Sequence, residues 1–92
     1  PEDVIHCVAS GNYTEVYLVN ERVETITCNL GSFMEQLPGN IFFRISRSGM
    51  INLNYLTRVD YKSGTCRLKG DKEFVLKVAR KRRQELDEVC RS

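Results

Sequence analysis

The sequence predicts a mostly β domain, in which short antiparallel strands are accompanied by two short helices. Three observations support this fold class. Short segments of alternating or β-branched apolar residues recur along the chain, turn-forming Gly, Asn, Ser and Pro residues separate them, and only two stretches look helical. The chain has 92 residues, of which 41% are hydrophobic and 28% charged. We therefore expect residues 1–92 to form a single globular domain.

The first half of the chain predicts a three-stranded antiparallel meander and a short helix. The strands are expected over Val4–Ala9, Tyr13–Val19 and Val23–Cys28. The helix is indicated by apolar residues at i, i+3, i+4 and i+7, namely Leu30, Phe33, Met34 and Leu37. Asn29 is the predicted N-cap, and Pro38-Gly39 ends the helix.

The second half predicts five more strands and a closing helix. Two strands flank the turn at 46–49, a hairpin with Ser63-Gly64 at its tip follows, and a last strand precedes the helix. The expected bounds are Phe42–Ile45, Met50–Leu53, Tyr55–Tyr61, Thr65–Lys69 and Glu73–Val78 for the strands and Arg80–Arg91 for the helix.

The residue types exclude several classes of protein. The four cysteines are scattered without a C-x-x-C pair, and His6 is the single histidine and lies within an apolar strand. This pattern predicts no metal site, and we interpret the cysteines as free thiols in a reducing cytoplasm and His6 as a packed core or edge residue. No catalytic triad, P-loop or dinucleotide motif is present. We expect neither enzymatic activity nor a cofactor, and no apolar run is long enough to span a membrane.

The net charge of +2 conceals an asymmetry that favours a polyanionic partner. Residues 1–43 contain six acids and one base, which gives −5, whereas residues 44–92 contain thirteen bases and six acids, which gives +7. The stretch FFRISRSGMINLNYL, residues 42–56, contains Arg44 and Arg47 and no acid. In the segment KVARKRR, residues 77–83, five of seven residues are basic at the start of the predicted helix. Cations there oppose the helix dipole, so an external anion is expected to compensate them.

These residues resemble the LytTR DNA-binding domain, the output domain of many bacterial two-component response regulators. The stretch at 42–56, followed by Val59, is similar to the family pattern F-x-R-x-H-R-S-x-x-V-N-L-x-x-I. The strand pair with its G-N-Y turn, the short helix at 30–37 and the closing segment at 74–86 match in the same order. The resemblance implies an elongated arrangement of small antiparallel sheets, bacterial cytoplasmic localisation, and a position at the C-terminal end of a longer regulator.

The resemblance also implies that turns, not a recognition helix, enter successive major grooves of double-stranded DNA. Base contacts are expected from Tyr13, Arg47 and Arg80. Contacts to the DNA backbone are expected from Asn12, Ser48, Asn52, Lys77, Lys81, Arg82 and Arg83. Family members commonly bind paired direct repeats, so self-association on DNA is expected, with no membrane or small-molecule partner.

The chain departs from the family pattern at three positions of these turns. Ser46 replaces the usual histidine, Gly49 the usual aromatic residue, and Ala79 the usual serine. Two other functions stay open at this point. One is a β-rich protein-interaction module whose basic face binds an acidic partner. The other is a single-stranded nucleic-acid binder, which needs exposed aromatic residues for stacking.

Overall fold

The structure is a computed structural model that describes residues 2–91. Within this range the strands are β1 (Val4–Ser10), β2 (Tyr13–Leu18), β3 (Val23–Ile26), β4 (Phe42–Ser46), β5 (Gly49–Asn52), β6 (Leu56–Asp60), β7 (Thr65–Lys69) and β8 (Glu73–Lys77). The helices are α1 (Leu30–Glu35) and α2 (Arg80–Arg91), and a 3-10 turn spans Leu53–Tyr55. The mostly β fold class with two short helices is thus confirmed. The predicted bounds are correct to within about two residues.

The strands form two antiparallel sheets. The first has the order β3-β2-β1-β5-β4, which contains the predicted meander, and the second has the order β6-β7-β8. A long-range pairing joins the meander to the second half of the chain, because β5 lies against β1 with His6 opposite Ile51 and Val8 opposite Gly49. The domain is longer in one direction, with extents of 34 × 26 × 22 Å.

Two apolar clusters lie on opposite faces of the five-stranded sheet. Phe42 and Met50 pack with Val4, Cys7, Val16 and Leu30 beneath α1. The neighbouring residues Phe43, Ile45 and Ile51 point the other way, toward the second sheet and α2. Among the described residues of α2, Leu86 is the buried one, whereas Val89 and Cys90 are exposed. Because both faces of β5 are covered, all four of its residues are buried.

His6 connects the two sheets through aromatic contacts. Its ring is 3% exposed, stacks on Tyr17 with centroids 4.3 Å apart, and meets the edge of Phe74 at 4.7 Å. Neither ring nitrogen has a hydrogen-bond partner among residues 2–91. Burial lowers the pKa of His6 to about 4, so the ring is neutral at physiological pH. The interpretation of His6 as a packed core residue is confirmed.

Candidate nucleic-acid interface

The strand register places two of the three predicted recognition turns at the same end of the first sheet. The turn at 11–12 joins β1 to β2, with Ser10 opposite Tyr13. The turn at 47–48 joins β4 to β5, and the N–H of Ala9 donates to the carbonyl of Ser48 at 2.8 Å. Two strand spacings separate these hairpins, which corresponds to about 10 Å. Tyr13 and Arg47 therefore project from one edge of the molecule.

The third turn connects β8 to α2 and reaches the same edge from the second sheet. The N–H of Ala79 donates to the carbonyl of Ile45 at 2.8 Å, and the N–H of Val78 donates to the carbonyl of Gly64 at 2.8 Å. The first bond fixes the start of α2 against the end of β4. As a result, Arg80 lies beside the turn that carries Arg47.

A basic groove lies between the second and third turns. It has a volume of about 560 Å³ and is lined by Arg44, Ser46, Arg47, Ala79, Arg80, Lys81 and Arg82. We call it the basic groove. Five of its seven lining residues are cations and none is an acid. In addition, the side chains of Arg47, Lys77, Arg80 and Lys81 are exposed and form no ion pair or hydrogen bond with residues 2–91.

The N-terminus of α2 adds to the positive potential of the groove. Its first turn contains no acid, and Ala79, the residue before it, has no side-chain oxygen that could cap the free N–H groups. Arg82 pairs with Glu85 at 3.1 Å, but both side chains are about half exposed, and such pairs contribute little. The N–H of Arg82 donates to the carbonyl of Ala79 at 2.8 Å. The groove thus combines exposed cations with a helix N-terminus that has no side-chain cap, a combination that suits phosphate.

The turn at 46–49 contains two of the three departures from the family pattern, Ser46 and Gly49. The N–H of Ser48 donates to the Oγ of Ser46 at 3.3 Å, so the serine that replaces histidine supports the turn. Gly49 is buried, and a Cβ atom there would lie 3.1 Å from both Ile45 Cγ1 and Ser46 Oγ. The turn is therefore closely packed at Gly49, whereas Arg47 and Ser48 are exposed.

The first turn presents Asn12 and Tyr13 to solvent. Gly11 has a positive φ of 62°, which glycine adopts without strain, and Tyr13 is 49% exposed. Exposure leaves both side chains available to a partner at this edge.

Asn52 must be removed from the predicted DNA contacts. Its side chain is fully buried, its Nδ2 donates to the carbonyl of Val4 at 2.8 Å, and its Oδ1 accepts from the N–H of Asn54 at 2.9 Å. A side chain that is enclosed and hydrogen-bonded in this way cannot reach a phosphate. Its role is to join β1 to the 3-10 turn.

Arg83 differs from the other basic residues of α2. Its guanidinium lies directly against Gly64 at the β6–β7 tip, and its Nε donates to the carbonyl of Val78 at 3.1 Å. Arg83 therefore helps to hold the turn before α2, and only its remaining N–H groups are available to DNA.

Arg44 is not among the contact residues predicted from the sequence, yet its guanidinium holds the turn that carries Arg47. Its Nε donates to the carbonyl of Ser46 at 2.9 Å, and its Nη2 donates to the carbonyl of Arg47 at 2.5 Å. The only signal in the sequence was a cation in an acid-free segment, which does not reveal that backbone carbonyls are its partners.

The fold and the basic groove define a small β domain that offers a polyanion a surface made of turns. The family model of the LytTr DNA-binding domain matches residues 1–91, and the chain therefore belongs to this family. The resemblance noted in the sequence is thus confirmed, and DNA binding is the function of the family. No helix among the described residues is long and apolar enough to cross a membrane.

A comparison with solved structures supports the fold independently. The chain is similar to the LytTr DNA-binding domain of a methyl-accepting/DNA response regulator from Bacillus cereus, with a TM-score of 0.75 and 24% sequence identity. The similarity covers 97% of this chain and 82% of that chain. No curated protein matches the chain.

Proposed function

We propose that this domain binds double-stranded DNA sequence-specifically, as the output domain of a bacterial two-component transcriptional regulator. The observation that carries the proposal is the acid-free basic groove between two turns at one edge, where Arg47 and Arg80 are exposed and have no side-chain partner among the described residues. Exposed guanidinium groups on short turns suit the major groove, where they can donate two hydrogen bonds to guanine O6 and N7.

The remaining residues at this edge divide into base contacts and backbone contacts. Tyr13 is proposed as a third base contact from the first turn. Contacts that position the DNA backbone are assigned to Asn12, Ser48, Lys77, Lys81 and Arg82, with a smaller share for the free N–H groups of Arg83. By analogy with the family, the site on DNA consists of paired direct repeats on which two copies of the protein assemble.

The arrangement favours a duplex over a single strand. Binding of a single strand relies on aromatic side chains that stack on bases along a basic channel. None of the described residues that line the basic groove is aromatic. Binding of an acidic protein would use the same cations without sequence preference, so a strong preference among duplexes separates the two functions.

The test compares arginine variants on two duplexes. A preferred duplex is first obtained by in vitro selection from a random library, and its scrambled form serves as the reference. Arg47→Ala and Arg80→Ala should each weaken binding to the preferred duplex by about 1–3 kcal/mol and leave binding to the scrambled duplex less affected. The matched control is Arg22→Ala, because Arg22 follows β2 at the opposite end of the sheet. The assignment is wrong if both variants bind the two duplexes as the parent does.

A further inference from the structure

We infer that Arg44 is a positioning residue that sets the direction of Arg47, an inference that rests on the proposed function. Arg44 lies on β4, three residues before Arg47, and its guanidinium turns back toward the chain that follows. It donates from Nε to the carbonyl of Ser46 and from Nη2 to the carbonyl of Arg47. These two carbonyls belong to the peptide groups on either side of the Arg47 Cα.

Fixing both peptide groups fixes the direction in which the Arg47 side chain leaves the backbone. The other contacts of this turn involve Ser48, whose N–H donates to Ser46 Oγ and whose carbonyl accepts from the N–H of Ala9, and they do not engage the carbonyl of Arg47. Here one planar guanidinium holds the two carbonyls at once, which a lysine ammonium on a flexible stem cannot do with the same geometry. Arg47 has no side-chain partner of its own among residues 2–91, so its approach direction depends on the backbone.

The surroundings of Arg44 hold its guanidinium in place. A Cβ atom at Gly31 would lie 4.0 Å from Nη1, so the first turn of α1 bounds the guanidinium on that side. Arg44 is half-buried and forms no ion pair within the described range. A cation that is partly removed from water and lacks an acid is costly, so its hydrogen bonds to carbonyls must offset that cost.

Arg44 lies between α1 and the turn at 46–49. A second packing contact lies opposite, where Gly49 sits close to Ile45 and Ser46. The turn is thus held from the outside by Arg44 and from the inside by the core. In the resulting arrangement Arg44 lines the basic groove and adds charge to it, while Arg47 extends farther into solvent.

The test uses Arg44→Lys, which keeps the positive charge and removes the planar guanidinium that donates to both carbonyls. We measure the affinities of the parent, Arg44→Lys, Arg47→Ala and the double variant for the selected duplex and its scrambled form. Arg44→Lys should lower affinity for the selected duplex by about tenfold and leave the scrambled duplex within about twofold. In the double variant the loss should equal that of Arg47→Ala alone, because Arg44 acts through Arg47.

Two results would refute the inference, and a third would refute the proposed function. If Arg44→Lys loses equal affinity for both duplexes, and this loss adds to that of Arg47→Ala, Arg44 contacts phosphate directly. Unchanged discrimination in Arg44→Lys, with a parent that discriminates well, would refute the positioning role alone. A parent that does not prefer the selected duplex would instead refute the proposed function.

A measurement on the parent domain covers the case in which Arg44→Lys does not fold. In nitrogen-15 NMR spectra, the Nε–H of Arg44 should exchange slowly with water in the free domain, since it is bonded to the Ser46 carbonyl. On addition of the selected duplex this resonance should move less than the Nε–H of Arg47. Fast exchange in the free domain, or the larger shift at Arg44, contradicts the inference.

Discussion

The salt dependence of DNA binding can be worked out from the basic edge. Four exposed cations there, Arg47, Lys77, Arg80 and Lys81, have no partner among residues 2–91. Arg47 and Arg80 are assigned to bases, so the phosphate contacts come from Lys77 and Lys81, together with Arg82. Three such contacts give a slope of log K against log salt of about −2.7, which weakens binding about 40-fold between 50 and 200 mM salt. The variant Lys81→Ala removes one of the four positive charges from this edge.

Lys81→Ala should make the slope less negative by about 0.9, on selected and scrambled duplexes alike. Fluorescence anisotropy titrations at four or five salt concentrations measure this slope directly. The matched control is Lys69→Ala, because Lys69 is also exposed but lies at the far end of β7, opposite Glu73. Equal slopes for the parent and Lys81→Ala, or an equal change in the control, would refute the assignment of this edge.

Three further predictions concern stability. The pKa of His6 is about 4 in the folded domain and near 6.5 in the unfolded chain. Between these two values only the unfolded chain binds the proton. The free energy of unfolding should therefore fall by at most about 3 kcal/mol as the pH drops from 6.5 to 4. Urea unfolding should show this loss in the parent and not in His6→Phe; equal losses would contradict it. Asn52→Ala should lower the unfolding free energy by about 1–3 kcal/mol, because two buried backbone groups lose their partner, without changing the preference among duplexes. Gly64→Ala should lower the melting temperature, measured by circular dichroism, because its φ is +69° and a Cβ would collide with the Arg83 guanidinium; an unchanged melting temperature would contradict this.

Local patterns in the sequence were sufficient to predict the helices and strands. The i, i+3, i+4, i+7 spacing predicted α1, and the predicted cap is confirmed by the hydrogen bond from the N–H of Ser32 to Asn29 Oδ1 at 2.8 Å. Alternation and turn formers predicted the strands and the meander. These signals depend on neighbours along the chain, which is why they can be read from one sequence.

The assembly of the interface could not be read in this way. The pairing of β1 with β5 joins residues about forty positions apart, and no local pattern specifies it. That pairing brings the turns of Tyr13 and Arg47 to one edge. Asn52 was misassigned for a related reason. A polar residue at the end of a short strand usually faces water, but here β5 is covered on both faces.

In the proposed function, the three turns at one edge of the domain contact duplex DNA. Amide shift mapping of the nitrogen-15-labelled parent domain with the selected duplex tests it most directly. We expect the largest shifts at residues 11–13, 46–49 and 78–82, and small shifts at the opposite turns, 20–22 and 70–72. Shifts concentrated at those opposite turns, or the same pattern with an unrelated single strand at equal affinity, would contradict it.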